Sequence, residues 1–202
     1  MEEKPIIMFC GLMGSGKTTL SEFYITKLED YTRFNTDDVR RILGKTKFDR
    51  KDTPEVNEYM YSRALKLIDS KKGVMFDSAY KLAEARKRIY EIGAKTNLPV
   101  LIVECVCKPE TAMNRIASRP SNDGAHKPTN NPEVYNEYSK MWEDPEKDLD
   151  NQSNNHLSLI KIDTDSKRLK VIKISETHSI LELVRLFEKH FEEFINLQNQ
   201  TQ

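Results

Sequence analysis

What the chain lacks narrows it first. Among 202 residues there are three cysteines, one tryptophan and seven glycines, and Lys+Arg equals Asp+Glu at 32 each. A net charge of zero excludes the global basic field of a protein that coats duplex nucleic acid, though not a local basic groove. No apolar run approaches the length of a membrane span, and residues 1–10 carry no signal-peptide pattern. Cys10, Cys105 and Cys107 all fall in apolar, strand-like stretches, and the last two share one strand face, where they are poorly placed for a bridge. An odd count without zinc-like spacing reads as reduced thiols in a core, so a soluble cytoplasmic protein with no membrane partner is expected. No internal repeat is visible.

Three of the seven glycines stand within six residues. Gly11-Leu12-Met13-Gly14-Ser15-Gly16-Lys17-Thr18 fills the pattern G-x-x-x-x-G-K-[ST]. It follows an apolar stretch, Pro5 to Cys10, suited to a buried strand, and precedes Thr19-Leu20-Ser21-Glu22-Phe23, the start of an amphipathic helix. The glycines let the backbone curl with its N–H groups inward, and the dipole of the next helix favours an anion there. In this pattern Lys17 reaches the β- and γ-phosphates, the Thr18 hydroxyl ligates Mg²⁺, and residues 11–19 cradle a nucleoside triphosphate. ATP and Mg²⁺ are the expected cofactors.

Strands and helices alternate along the chain. Strand 4–10 leads through the loop to a helix ending near Glu29-Asp30. Strand Thr32–Asn35 precedes a helix capped by Thr36, and Pro54 opens a helix with Val56, Met60, Ala64, Leu67 and Ile68 on one face, ended by Gly73. Val74–Asp77 reads as a buried strand. Leu82, Ala85, Ile89 and Ile92 mark another helix, Leu98–Val106 a strand, and Pro109 a further helix start. The pattern predicts an α/β fold with a parallel sheet between helices, ligands lying at the carboxyl ends of the strands. Residues 120–132 break the alternation with turn chemistry, and the polar segment of about 119–132, with His126 inside it, reads as a lid over the nucleotide. Leu157–Ile162 and Leu169–Ile174 look like a hairpin joined through Asp163-Thr164-Asp165. The final helix carries Ile180, Leu183, Val184, Phe187, Phe191, Phe194 and Ile195 on one face, which fits packing onto the sheet better than a dimer seam. Residues 1–202 are expected to form one domain with a lid and a C-terminal addition of hairpin and helix at about 157–197. The oligomeric state is left open.

Several classes of phosphate-loop protein are excluded. A motor-type ATPase wants an apolar strand ending Asp-Glu, and here the strand ends Phe76-Asp77-Ser78; a GTPase wants Asn-Lys-x-Asp, which does not occur. The remaining plan is that of a small kinase. In its motifs the chain resembles the P-loop kinases related to the kinase domain of polynucleotide kinase, with zeta-type toxins, gluconate kinases and chloramphenicol phosphotransferase as more distant relatives. The resemblance rests on residues 11–20, on Asn35-Thr36-Asp37-Asp38-Val39-Arg40, on Gly73–Ser78 and on Asn114–Arg119. It spans roughly residues 4–142 and implies a three-layer P-loop kinase fold and Mg²⁺-dependent transfer of the γ-phosphate of ATP to a hydroxyl. The phosphatase motif that follows some polynucleotide kinases is absent, and Asp163-Thr164-Asp165 is only superficially like it.

Phosphoryl transfer asks for positioning and charge neutralisation. Asp37 is the candidate general base, though an acid in a first helical turn also serves the dipole. Arg40 is a candidate to hold an acceptor phosphate or orient Asp37, and Asp77 to position the acceptor or touch Mg²⁺ through water. Arg115 and Arg119, four apart on one helix face, are candidates to clamp the phosphates with Lys17. Glu104 sits in an apolar strand without an evident partner. The stretch Arg33–Lys51 is basic and holds Phe34 and Phe48, as a groove for a single-stranded end would. A polynucleotide 5′-hydroxyl end is the leading acceptor and a small metabolite the second. From a different class comes a non-transferring ATP-dependent switch that binds a protein partner.

Overall fold

The computed structural model describes residues 3–45, 49–118, 132–150 and 155–200. An unbroken apolar run makes Ile6–Cys10 a strand, β1, buried at every position as a strand covered on both faces must be. Helix α1 (Lys17–Ile25), strand β2 (Tyr31–Asn35), α2 (Thr36–Ile42), α3 (Thr53–Asp69), β3 (Gly73–Asp77), α4 (Ala83–Thr96) and β4 (Val100–Val106) follow. Then come α5 (Pro109–Ala117), α6 (Pro132–Lys140), β5 (Leu157–Asp163), β6 (Arg168–Lys173) and α7 (His178–Gln200), with a 3₁₀ turn at Pro145–Asp150 before β5.

The six strands order as β2-β3-β1-β4-β5-β6, the first five parallel and β6 antiparallel to β5. From β1 the chain runs out to β2 and back to β3, then crosses to β4 on the other side. The order therefore reverses at β1, and a crevice opens at its carboxyl end, where the glycine-rich loop begins. Side chains alternate across the sheet. Ile6, Met8 and Cys10 join a core with Val56, Met60 and Ala64 of α3 and Ile89 of α4. Ile7 and Phe9 meet Leu20 and Tyr24 of α1 and Ile180, Val184 and Phe187 of α7 on the opposite face. The fold is a three-layer α/β sandwich.

Three expectations change. The helix after the loop stops at Ile25, short of residues 29–30. Asn35, not Thr36, caps α2, because its side chain accepts from the N–H groups of Asp37 and Asp38. Gly73 does not end α3 but begins β3; the chain turns at Lys71 (φ 61°), and a Cβ on Gly73 would stand 2.5 Å from the Tyr31 ring. The C-terminal hairpin and helix join the main sheet, the helix packing as its apolar face led us to expect. β5 runs in register with β4 over seven residues, and the α7 stripe lies on the sheet beside α1. Tyr24 stacks on Phe187 at 4.0 Å between ring centroids, and its hydroxyl donates to the Phe187 carbonyl at 2.8 Å. The expected lid, apart from its last residue at Pro132, lies outside the described residues, and so do Arg119 and His126.

Candidate active site

The phosphate loop is built by backbone. Gly14 has φ 81°, and a Cβ there would stand 2.5 Å from the Ala112 carbonyl oxygen, so α5 packs against bare backbone. The loop delivers Gly16 as the cap of α1 with no side-chain cap and no acid in the first turn. The leading N–H groups of α1 therefore meet no competing side-chain acceptor, which is the requirement for an anion at a helix start. Lys17 Nζ lies back over the loop, 3.4 Å from the Leu12 carbonyl.

Opposite stands α2. Asn35 Oδ1 accepts from Asp37 N at 2.9 Å and Asp38 N at 3.3 Å, while Asn35 Nδ2 donates to Asp77 Oδ2 at 3.0 Å. Asp77 is fully buried. Its Oδ2 also takes the Ser21 hydroxyl at 2.8 Å and the Arg33 guanidinium at 2.6 Å, and its Oδ1 has no hydrogen-bond partner among the described residues. The carboxylate thus meets protein groups rather than the cleft, one turn of α1 beyond Thr18. Arg40 is buried, donating to the Thr36 carbonyl and to Thr53 Oγ1, and its Nη1 stands 4.0 Å from Asp37 Oδ1. Its place is beside the candidate base.

A cleft of about 630 Å³ unites the two helix starts. Lys17, Thr18 and Thr19 line one side, Asp37, Asp38 and Arg40 the other, and Ser78 to Leu82 with Tyr138 form a wall. Two basic side chains of its lining, Arg33 and Arg41, and Lys45 beyond the lining are matched by acids. Arg33 meets Asp77, Asp38 and Glu22, Arg41 lies 2.6 Å from Asp38, and Lys45 bridges Asp52 and Glu55. Phe34 stacks on Phe76 in the core and offers nothing to a base; Phe48 lies outside the described residues.

Arg115 does reach the loop. Its Nη1 donates to the Gly14 carbonyl at 3.1 Å and to Thr164 Oγ1 at 2.8 Å, and its Nη2 lies 3.8 Å from Asp165. Thr164 in turn donates to the Ser15 carbonyl, and Asp165 accepts from Lys108 N at 2.7 Å. The β5–β6 turn therefore closes one side of the loop. Thr164 and Asp165 are site residues that motif reading passed over, although they stand at the carboxyl end of a parallel strand, where the topology rule looks for them. Glu104 finds its partner across the β4–β5 register: Lys161 Nζ lies 3.0 Å away and also binds Glu146. Burial pushes the Glu104 carboxyl up, and the lysine only partly opposes it. Burial likewise raises the thiols of Cys10 and Cys105, leaving both as inert core groups.

Comparison with known proteins agrees with this geometry. A family model described as an AAA domain, AAA_33, matches residues 6–138, which covers the loop, both helix starts and the cleft wall. The chain belongs to this family. As an AAA_33 domain it also shares its fold with solved P-loop kinases. The APS kinase CysC of Mycobacterium tuberculosis, solved with AMPPNP and APS, aligns over 93% of this chain and 99% of its own at 17% identity and a TM-score of 0.54. A sugar kinase from Janibacter sp. HTCC2649 aligns over 92% and 95% at 12% identity and 0.58. A chain of the Pnkp1/Rnl/Hen1 RNA repair complex aligns over 69% of this domain and 45% of its own length at 16% identity and 0.57. The AAA_33 domain thus spans less than half of that chain. No curated protein matches the sequence. Among the described residues, no helix is long and apolar enough to cross a membrane.

Proposed function

We propose that this domain transfers the γ-phosphate of ATP to a hydroxyl group of an acceptor held in the 630 Å³ cleft. The observation that carries the reading is the pairing of an uncapped, acid-free start of α1 with an acid-bearing start of α2 across one cleft. The residues fit ATP·Mg²⁺. The α1 start suits the phosphates, and Thr18, which lines the cleft, would hold the ion. When bound, Mg²⁺ neutralises charge across the β- and γ-phosphates. Asp37 orients the acceptor hydroxyl and takes its proton as the oxygen bonds to the γ-phosphorus and the bond to the β-bridging oxygen breaks, releasing ADP. Arg40, its Nη1 4.0 Å from Asp37 Oδ1, orients the base. Lys17 and Arg115, with Arg119 from beyond the described residues, balance the charge spread over the transferring group.

A polynucleotide 5′-hydroxyl end is the first acceptor to test, supported by the motif set at residues 35–40 and by the fold shared with the RNA repair complex. The second is a small polar metabolite. It is favoured by one specific observation: the cleft cations Arg33 and Arg41, and Lys45 further along the same stretch, are matched by acids, leaving little basic track for a backbone. The APS kinase and the sugar kinase have small acceptors by name, and they match the chain nearly end to end. The deciding assay offers γ-labelled ATP·Mg²⁺ with 5′-hydroxyl RNA and DNA oligonucleotides, then with sugars and nucleosides, using Asp37→Asn as control. Label on an acceptor that vanishes in the variant establishes the kinase and names the acceptor. ATP binding with no transfer to any of them, and Asp37→Asn without effect, would sink the reading in favour of a nucleotide-dependent switch.

A further inference from the structure

The wall of the cleft opposite the phosphate loop is held from a distant part of the chain. Tyr80, in that wall, has φ 43°, a left-handed backbone that a bulky aromatic residue adopts only under constraint. The constraint is Arg86, a fully buried arginine on α4 whose Nη1 donates to the Tyr80 carbonyl at 2.9 Å. Its other edge makes a two-point bond to Asp148, Nε to Oδ2 at 2.6 Å and Nη2 to Oδ1 at 3.1 Å, and the Tyr90 hydroxyl adds a third at 2.7 Å. Asp148 lies beyond α6, in the 3₁₀ turn at Pro145–Asp150. Glu143, nearer α6, grips the same wall twice. Its N–H donates to the Lys81 carbonyl at 2.9 Å, and its carboxylate accepts from Ala83 N, the first N–H of α4. Lys81 itself lies over the Tyr138 ring of α6 at 3.7 Å.

We propose that Asp148 and Glu143 are positioning residues for acceptor binding, setting the conformation of Tyr80 and Lys81 while the phosphate cradle is built mainly from other parts of the fold. A buried two-point arginine–carboxylate bond is geometrically exacting, so it fixes one backbone conformation out of several. The staple's bonds end on Tyr80, Lys81 and Ala83, whereas residues 11–19 are held mainly by α5, β4 and the β5–β6 turn and meet the wall through the backbone bond from Gly11 N to the Ala79 carbonyl at 3.2 Å. The segment that follows the expected lid thereby becomes part of the acceptor site, and acceptor preference is written partly in residues 138–148. This rests on the kinase reading for its functional half only.

The test has two arms, both on the full chain. Hydrogen exchange compares amides 78–83 with those of α1 in wild type, Asp148→Asn and Glu143→Ala. The second variant removes an exposed side chain and keeps the domain folded if the buried change does not. Transfer kinetics on a 5′-hydroxyl RNA oligonucleotide compare the acceptor kcat/KM with ATP·Mg²⁺ affinity. Faster exchange confined to 78–83, with acceptor kcat/KM lowered about tenfold to a hundredfold and ATP affinity held, is the expected result. Exchange unchanged at 78–83, or raised equally in α1, overturns the proposal, and so does a parallel loss of ATP affinity. If the wild type labels no oligonucleotide, that counts against the polynucleotide reading alone, and the exchange arm decides the positioning role.

Discussion

Two helices point their first turns into one cleft, and they are opposite in kind. α1 opens on Gly16 with no side-chain cap and no acid; α2 opens on Asn35, whose amide oxygen holds two backbone N–H groups, with Asp37 and Asp38 in its first turn. Both starts carry the same partial positive charge from their aligned peptides. At α2 that charge is answered from within the protein, by the Asn35 cap and by Asp37 and Asp38 in the first turn. At α1 it is unanswered by any side chain, so the answer must come from a bound anion. One physical device, used in two states of completion, separates the donor's place from the base's place.

The contrast can be broken from either side. Asp37→Asn keeps the cap and the shape of α2 and removes the base. Transfer should fall by about 10²–10⁴-fold with ATP affinity unchanged, read by single-turnover labelling and calorimetry. Thr19→Asp makes α1 resemble α2 by placing an acid in an exposed first-turn position. ATP should bind about tenfold or more weakly while the apo domain gains about 0.3–1 kcal/mol, so affinity and melting temperature move in opposite directions. Asn35→Ala makes α2 resemble α1. Loss of the cap should cost about 0.5–2 kcal/mol in a urea titration, and transfer should slow because Asp37 loses its backbone anchor.

The smallest effect lies away from both helix starts. Glu104 is raised above its ordinary value of 4.5, mainly by burial. A carboxyl raised on folding contributes stability that is fully present below 4.5 and is lost as pH rises through the raised value. Glu104→Gln should therefore flatten the urea midpoint against pH just above 4.5, and an unchanged slope there would contradict the assignment.

What could be read from the chain alone was what is local. The loop, its flanking strand and helix, and Asp37 at the start of α2 occupy short runs whose chemistry depends on neighbours in sequence. Ile180 to Phe191 were also legible, because a helical period states which face is buried. The remainder depends on pairing across distance. Glu104 looked orphaned because Lys161 becomes its neighbour only through strand register. Arg86 carried no signal of its own in the sequence, since its partner Asp148 lies 62 residues on. Phe34 looked like a groove aromatic until its strand placed it inward against Phe76. Thr164 and Asp165 stood in a polar turn, and only the placement of β5 beside β4 brings that turn to the loop.

The contact between Tyr24 and Phe187 joins residues 163 positions apart. It means that the helix carrying Lys17 and Thr18 rests on residues that leave the ribosome long after its own. A nascent chain that has emerged only as far as Ser175 already holds the whole phosphate loop, both motif acids and all six strands. The inner side of α1 at that moment still faces water where α7 will lie, with Tyr24 and Leu20 uncovered. Competence to hold nucleotide should therefore arrive when α7 docks on α1, rather than when the motif is made.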